Sequence, residues 1–161
     1  MTDLLALLQE LYRDKLTAML RHQVGARLIG QYDINNTYQY VINREDVELS
    51  WVSQAITELG GALPQVAEPE RPQPGSGSER SDRILEEDAR DAQAFVDRWA
   101  PRAEGMTNAR HAKMLRVILG ETLEQKRFFE QARAGQLDLL GRRPDHVGPR
   151  VGSVLPTRWI E

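Results

Sequence analysis

The sequence predicts an all-α fold, a single four-helix bundle built from two helical hairpins joined by a long crossover. Three observations carry this prediction. Apolar residues recur at spacings of three and four in four separate segments. A stretch rich in proline and glycine, GGALPQVAEPERPQPGSGSERSD between Gly60 and Asp82, divides those segments two and two. No strand pattern interrupts residues 1–135. A chain of 161 residues is also long enough for one buried core and short for two domains.

The first helix is expected over about Asp3 to Ile29. Its stripe is Leu4, Leu8, Leu11, Tyr12, Leu16, Met19 and Leu20, and Gly30 is placed to stop it. Asn35, Asn36 and Thr37 can cap the second helix, which presents Val41, Ile42, Leu49, Val52, Ile56 and Leu59 and closes at Gly60-Gly61. Ser81 or Asp82 caps the third. That helix buries Ile84, Leu85, Ala92, Phe95, Val96 and Trp99 until Pro101 bends or ends it. Thr107 caps the fourth, whose inward residues are Met114, Leu115, Ile118 and Phe129, and which ends near Gly135.

The length of the linker, residues 60–81, follows from this topology. The second helix is about 35 Å long at ~1.5 Å per residue. If the second and third helices are parallel, the connection returns over that whole distance, and Pro64, Pro69, Pro72 and Pro74 favour an extended path. The rival is a flexible tether between hairpins that complete a bundle only by dimerising. Beyond the bundle domain (residues 1–135) lies a tail, residues 136–161. Leu139, Leu140, Val154, Leu155, Trp159 and Ile160 make it too apolar to read as disordered. The tail is expected to pack on the bundle or on a partner subunit.

Composition narrows the function classes. A formal charge of −3 with 28% charged residues offers no polycationic surface, so no nucleic-acid partner is expected. The absence of cysteine excludes disulfides, thiolate metal ligands, iron–sulfur clusters and cysteine nucleophiles. The opening MTDLLALLQELYRDK has no basic region before its apolar residues and no cleavage site, so it reads as a helix. No apolar run reaches membrane-spanning length. The expectation is a cytoplasmic protein with no membrane partner.

Several polar residues fall on apolar stripes. Glu45 lies among Val41, Ile42 and Leu49, and Glu48 is nearly one turn later. A carboxylate in a core must be paired, hydrogen-bonded, metal-bound or protonated, since bare burial costs several kcal/mol. His22 aligns with Ala18, Ala26 and Ile29. With the turn centred near residue 34, His22 and Glu45 come level across the first hairpin. That pair is either a hydrogen bond that specifies packing or part of a metal site. The second hairpin offers Asp88, Asp91 and His111. His111 is only about four residues into its helix, so Asp91 lies some 12 Å from it along the axis.

The segments RHAKMLRVILGE and REDVELSWVSQAITELGG resemble the second helix of each half in the ferritin-like superfamily, where a histidine or carboxylate precedes an apolar run ending in Leu-Gly. The resemblance covers about residues 3–135 and implies the ferritin-like topology. Many members hold two iron or manganese ions with a glutamate from each of two helices and a Glu-x-x-His pair from each of the others. On that pattern one pair is Glu45 and Glu48, with glutamate where histidine is usual. The other is Asn108 and His111, with a neutral asparagine where glutamate is usual. The first-helix ligand is Glu10 or His22, and the third-helix ligand Asp88 or Asp91.

The metal-ligating candidates are therefore His22, Glu45, Glu48, His111 and Asp91. Iron or manganese is the implied cofactor if these interior groups converge, and no cofactor otherwise. The functional expectation is a ferritin-like bundle of unassigned activity: a non-catalytic scaffold or interaction protein with a degenerate metal site. The alternative is an iron- or manganese-binding protein with oxidase- or oxygenase-type activity. A homodimer is expected, formed through a helical face or the tail, and the tail is a further surface for a protein partner.

Overall fold

The computed structural model describes residues 3–136. All but the first residue of the 136–161 tail lies outside them. Four helices follow in order: α1 (Leu4–Arg27), α2 (Tyr32–Glu58), α3 (Gly77–Glu104) and α4 (Ala109–Arg133). They form two hairpins, α1–α2 and α3–α4, linked by the long segment 59–76.

The helix ends differ from the predicted caps for local reasons. Asp3 caps α1 by accepting the Leu5 N–H at 3.1 Å. α2 begins at Tyr32, ahead of the predicted Asn35–Thr37 cap. Asn35 instead donates its amide to the Ala26 carbonyl at 2.8 Å, covering one of the free acceptors at the end of α1. Thr37 bonds back to the Asp33 carbonyl within its own helix. α3 starts at Gly77, one turn before the predicted Ser81, and the Ser81 hydroxyl donates to Gln31 Oε1 at 2.7 Å. The helix runs through Pro101 to Glu104, where Gly105 closes it on the Pro101 carbonyl at 3.2 Å. Asn108, one residue after the predicted Thr107, caps α4 by accepting the His111 N–H at 3.1 Å. Gly60 ends α2 with a φ of +77°, a left-handed conformation costly for any residue with a Cβ.

Cross-hairpin pairs fix the directions. On one side Glu10 pairs with Arg102, Asp14 with Trp99 and Arg21 with Asp91, so α1 and α3 are antiparallel neighbours. On the other, Arg44 meets Glu121 and Glu58 meets Arg110, making α2 and α4 antiparallel too. α2 and α3 consequently run the same way, and the crossover travels the length of the bundle. It is held along that path: Gln9 donates to the Ala62 carbonyl, Arg27 reaches Glu68, and Arg71 donates to the Arg21 carbonyl.

The core is not continuous. One apolar cluster, around Leu8, Leu11, Val52, Ile56, Trp99 and Ile118, fills the end where α1 begins. A second, around Tyr38, Val41, Ile84, Leu85 and Phe129, fills the end where α1 stops. Between and beside them lie buried polar side chains from all four helices and the crossover.

Candidate functional site

The polar layer begins with Lys15 on α1, which the apolar stripe Leu11–Lys15–Met19 carries straight into the core; it is 2% exposed. Its ammonium lies 3.2 Å from Glu48 Oε1 and 3.6 Å from Glu45 Oε2, with both glutamates fully buried on α2. The same ammonium sits 5.4 Å over the Phe95 ring. One level on, His22 Nδ1 is 2.5 Å from Glu45 Oε1, and His22 Nε2 is 3.9 Å from Asp88 Oδ1 on α3. The imidazole packs against Phe129, on which Tyr38 stacks with centroids 5.2 Å apart. Tyr38 donates its hydroxyl to Asp88 Oδ2 in a short hydrogen bond.

The crossover supplies the second internal cation. Arg71, 6% exposed, forks onto Asp88 with Nη2 at 2.8 Å from Oδ1 and Nη1 at 3.2 Å from Oδ2. It also donates to the carbonyls of Arg21 and Ile84. Gly25 makes room for it: a Cβ there would come within 2.7 Å of Arg71 Nη1 and 3.1 Å of Ile84 Cγ2.

These neighbours set the charges. Burial disfavours the His22 imidazolium, but the Glu45 and Asp88 carboxylates outweigh it and raise the pKa. Burial likewise opposes ionisation of Glu45, and here the charges of His22 and Lys15 win, holding it below the usual carboxylate range. Glu48 goes the other way. Burial, with Glu121 and Glu45 nearby, lifts it to about 7 against the pull of Lys15. Burial and the Asp88 charge push the Tyr38 phenol well up, so it stays a neutral donor. Arg71 remains cationic: burial works against its charge, and Asp88 more than offsets that.

The sequence-derived candidates divide accordingly. His22, Glu45 and Glu48 meet in the layer. Asp91 stands at its edge, 52% exposed and paired with Arg21 at 3.2 Å. His111 is elsewhere, in the first turn of α4, where it lines a cleft of about 290 Å³ between α2 and α4 with Trp51, Met114 and Val117. It lies eleven positions from Thr122, the nearest buried polar residue of α4, or about 16 Å along the axis. Burial and the Arg110 charge lower its pKa, and neither ring nitrogen has a hydrogen-bond partner among the described residues. Asn108 is occupied as the α4 cap.

This donor set does not fit a di-metal centre. The Lys15 ammonium stands against both α2 carboxylates, Arg71 takes both oxygens of Asp88, and His22 spends Nδ1 on Glu45. Among the described residues no three histidine, aspartate or glutamate side chains group as a metal site.

Sequence reasoning missed five members of the layer: Lys15, Tyr38, Arg71, and Thr122 and Gln125, both buried on α4. Lys15 and Gln125 carried a visible signal, since each falls on an apolar stripe at helical spacing. Tyr38 was hidden by placing the start of α2 too late. Arg71 had no signal, because a linker has no period that could aim a side chain inward.

A cavity of about 450 Å³ runs from the layer to the surface between α1 and α3. Lys15, His22, Glu45, Asp88, Thr122 and Gln125 line its inner part, while Asp14, Arg21, Asp91 and Arg98 stand at the mouth. Ala18, Ala92, Ala94 and Phe95 make up its apolar wall. The mouth charges are paired among themselves, Arg21 with Asp91 and Arg98 with Asp14.

Comparison with protein-family models, curated proteins and solved structures finds no significant match.

Proposed function

We propose that this chain is a metal-independent, non-catalytic helical-bundle binding protein that keeps the ferritin-like arrangement of interior carboxylates and neutralises them with its own cations. The observation that carries the reading is the placement of Lys15 against Glu45 and Glu48, and of Arg71 on Asp88. An ammonium and a guanidinium thus neutralise Glu45, Glu48 and Asp88, carboxylates that the ferritin-like resemblance would give to metal ions. Each gives the carboxylates an opposite charge without a coordination position that could open. The test is elemental analysis of protein purified without chelator, repeated after anaerobic loading with iron and with manganese. Less than a tenth of an equivalent per chain is expected in both states, with an unchanged melting temperature. Retention of one or two ions per chain, with stabilisation by the ion, would instead support the iron- or manganese-dependent oxidase reading.

The same protein is proposed to act as a homodimer through the α2–α4 face. Tyr40, Val47 and Val117 remain 39–45% exposed there; Val117 lines the cleft that also holds Trp51, Met114 and His111, whose ring nitrogens have no hydrogen-bond partner among the described residues. A second copy of the chain would cover this apolar strip and could supply a donor to the neutral imidazole. Light scattering on the full chain should give twice the monomer mass, falling to the monomer mass for Val47→Asp/Val117→Asp. A wild-type monomer would remove this part of the reading.

A further inference from the structure

Among the described residues, three buried polar atoms on residues lining the α1–α3 cavity have no hydrogen-bond partner; Asp88 Oδ1 is ion-paired with Arg71 at 2.8 Å, and the other two are of opposite kind. One is Glu45 Oε2, an acceptor on an ionised carboxylate whose other oxygen is taken by His22. The other is Gln125 Nε2, a donor on a side chain that is 4% exposed. Buried polar atoms left unpaired cost stability, and natural cores contain few of them. Both line the same cavity, whose size lies within the roughly 300–1,000 Å³ range of small-molecule pockets.

The charge of the layer restricts what can fill the cavity. Lys15 and Arg71 face Glu45, Asp88 and a partly ionised Glu48, and His22, its pKa raised by the Glu45 and Asp88 charges, titrates between them, so cations and carboxylates nearly balance. A ligand of net charge would upset that balance in a place water reaches only from one side. A molecule carrying both signs would not. The geometry points to a binding site for a free α-amino acid with an apolar side chain, its ammonium on Glu45 Oε2, its carboxylate on Gln125 Nε2, and its side chain along Ala18, Ala92 and Phe95. Lys15, 3.6 Å from Glu45 Oε2, lies within reach of the same carboxylate. The four charged residues at the mouth are already paired with one another, so they offer a simple ion little to bind first.

The proposal rests on the metal-independent reading, because a metal in the layer would consume Glu45. The experiment is thermal denaturation and calorimetric titration of the full chain with L-leucine, L-methionine and L-phenylalanine. The two half-molecules of leucine, 4-methylpentanoate and 3-methylbutylamine, are run at the same millimolar concentrations. At least one amino acid should raise the melting temperature saturably, and each half-molecule should bind at least tenfold more weakly.

Gln125→Leu supplies a second readout. It removes the orphaned amide in the same volume, so the ligand-free variant should melt above the wild type while losing at least tenfold in amino-acid affinity. A Gln125→Leu protein that melts lower when ligand-free assigns the amide a structural role and overturns the proposal. So does equal binding of a half-molecule. No response to any amino acid, with metal analysis clean, means that water serves the two atoms and removes this inference alone. Stoichiometric metal would remove the underlying reading instead.

Discussion

Replacing Glu48 by glutamine should make the protein more stable above neutral pH and flatten its response to pH. Glu48 is fully buried, and its folded pKa is about 7 against an ordinary 4.5. Between those two values the folded chain binds a proton that the unfolded chain has released. The stability it contributes is therefore fully present below pH 4.5 and is lost as pH rises toward and through 7. At ~1.36 kcal/mol per pH unit, that window amounts to about 3 kcal/mol. His22, with its pKa raised, adds a loss of the same sign above pH 6.5; Glu45, with its pKa lowered, contributes stability that is lost only as pH falls below 4.5. Glutamine mimics the protonated carboxyl in shape and charge. Glu48→Gln should match the wild type at pH 5 to within ~1 kcal/mol and exceed it by about 3 kcal/mol at pH 8.5. Urea denaturation at half-unit pH intervals measures both. A variant less stable than the wild type at pH 8.5 would refute the reasoning, since the ionised Lys15–Glu48 pair would then outweigh the burial of the charge.

Four further outcomes follow. Lys15→Met leaves Glu45 without its ammonium and should cost about 3–5 kcal/mol at pH 7.5, and Glu48→Gln in the same chain should recover part of it; equilibrium unfolding of the single and double variants checks both. Arg71→Ala strands Asp88 and should cost a similar amount, about 3–5 kcal/mol, while speeding proteolytic cleavage of the crossover. Gly25→Ala intrudes on the same guanidinium and on Ile84 and should cost ~1–3 kcal/mol alone but much less on the Arg71→Ala background, a non-additivity that a double-mutant cycle detects. Asn108→Ala removes the N-terminal side-chain cap of α4 and should cost ~1 kcal/mol by urea denaturation at any pH between 5 and 8.

The parts of this molecule that could be read in the sequence are those governed by a period. Four stripes at helical spacing and one proline-rich interruption suffice for two hairpins and a crossover, and the His22–Glu45 pairing follows from counting back from the turn. Caps were less legible because Asn, Ser and Thr near a helix start have several possible partners. Asn35 serves the preceding helix and Ser81 the α1–α2 turn, and neither choice is local to the segment that carries it. Lys15 sat in plain view on its stripe, but a lysine between Leu11 and Met19 becomes an internal cation only once Glu45 and Glu48 are known to face it. Arg71 lay beyond any such argument. Its position depends on how the whole crossover returns, and on Gly25 leaving the surface of α1 open where it passes.

That dependence suggests what the charged layer contributes besides its cost. Bundle cores made only of aliphatic residues pack acceptably in more than one connection, because dispersion and burial are not directional. Here the first hairpin carries Lys15 with Glu45 and Glu48, and is balanced within itself apart from His22. The second carries Asp88, which no cation of α3 or α4 neutralises; its partner comes from the crossover. Arg71 reaches Asp88 only if the chain leaves α2, passes α1 at Gly25 and enters α3 from that side, while still donating to the Arg21 carbonyl. A crossover returning over the α2–α4 face would leave a buried carboxylate unpaired, at a cost of several kcal/mol. His22 then joins the two halves, with one nitrogen on Glu45 and the other facing Asp88. The layer thus distinguishes one path of the crossover from another, a discrimination that the two apolar clusters on either side of it have no means to make.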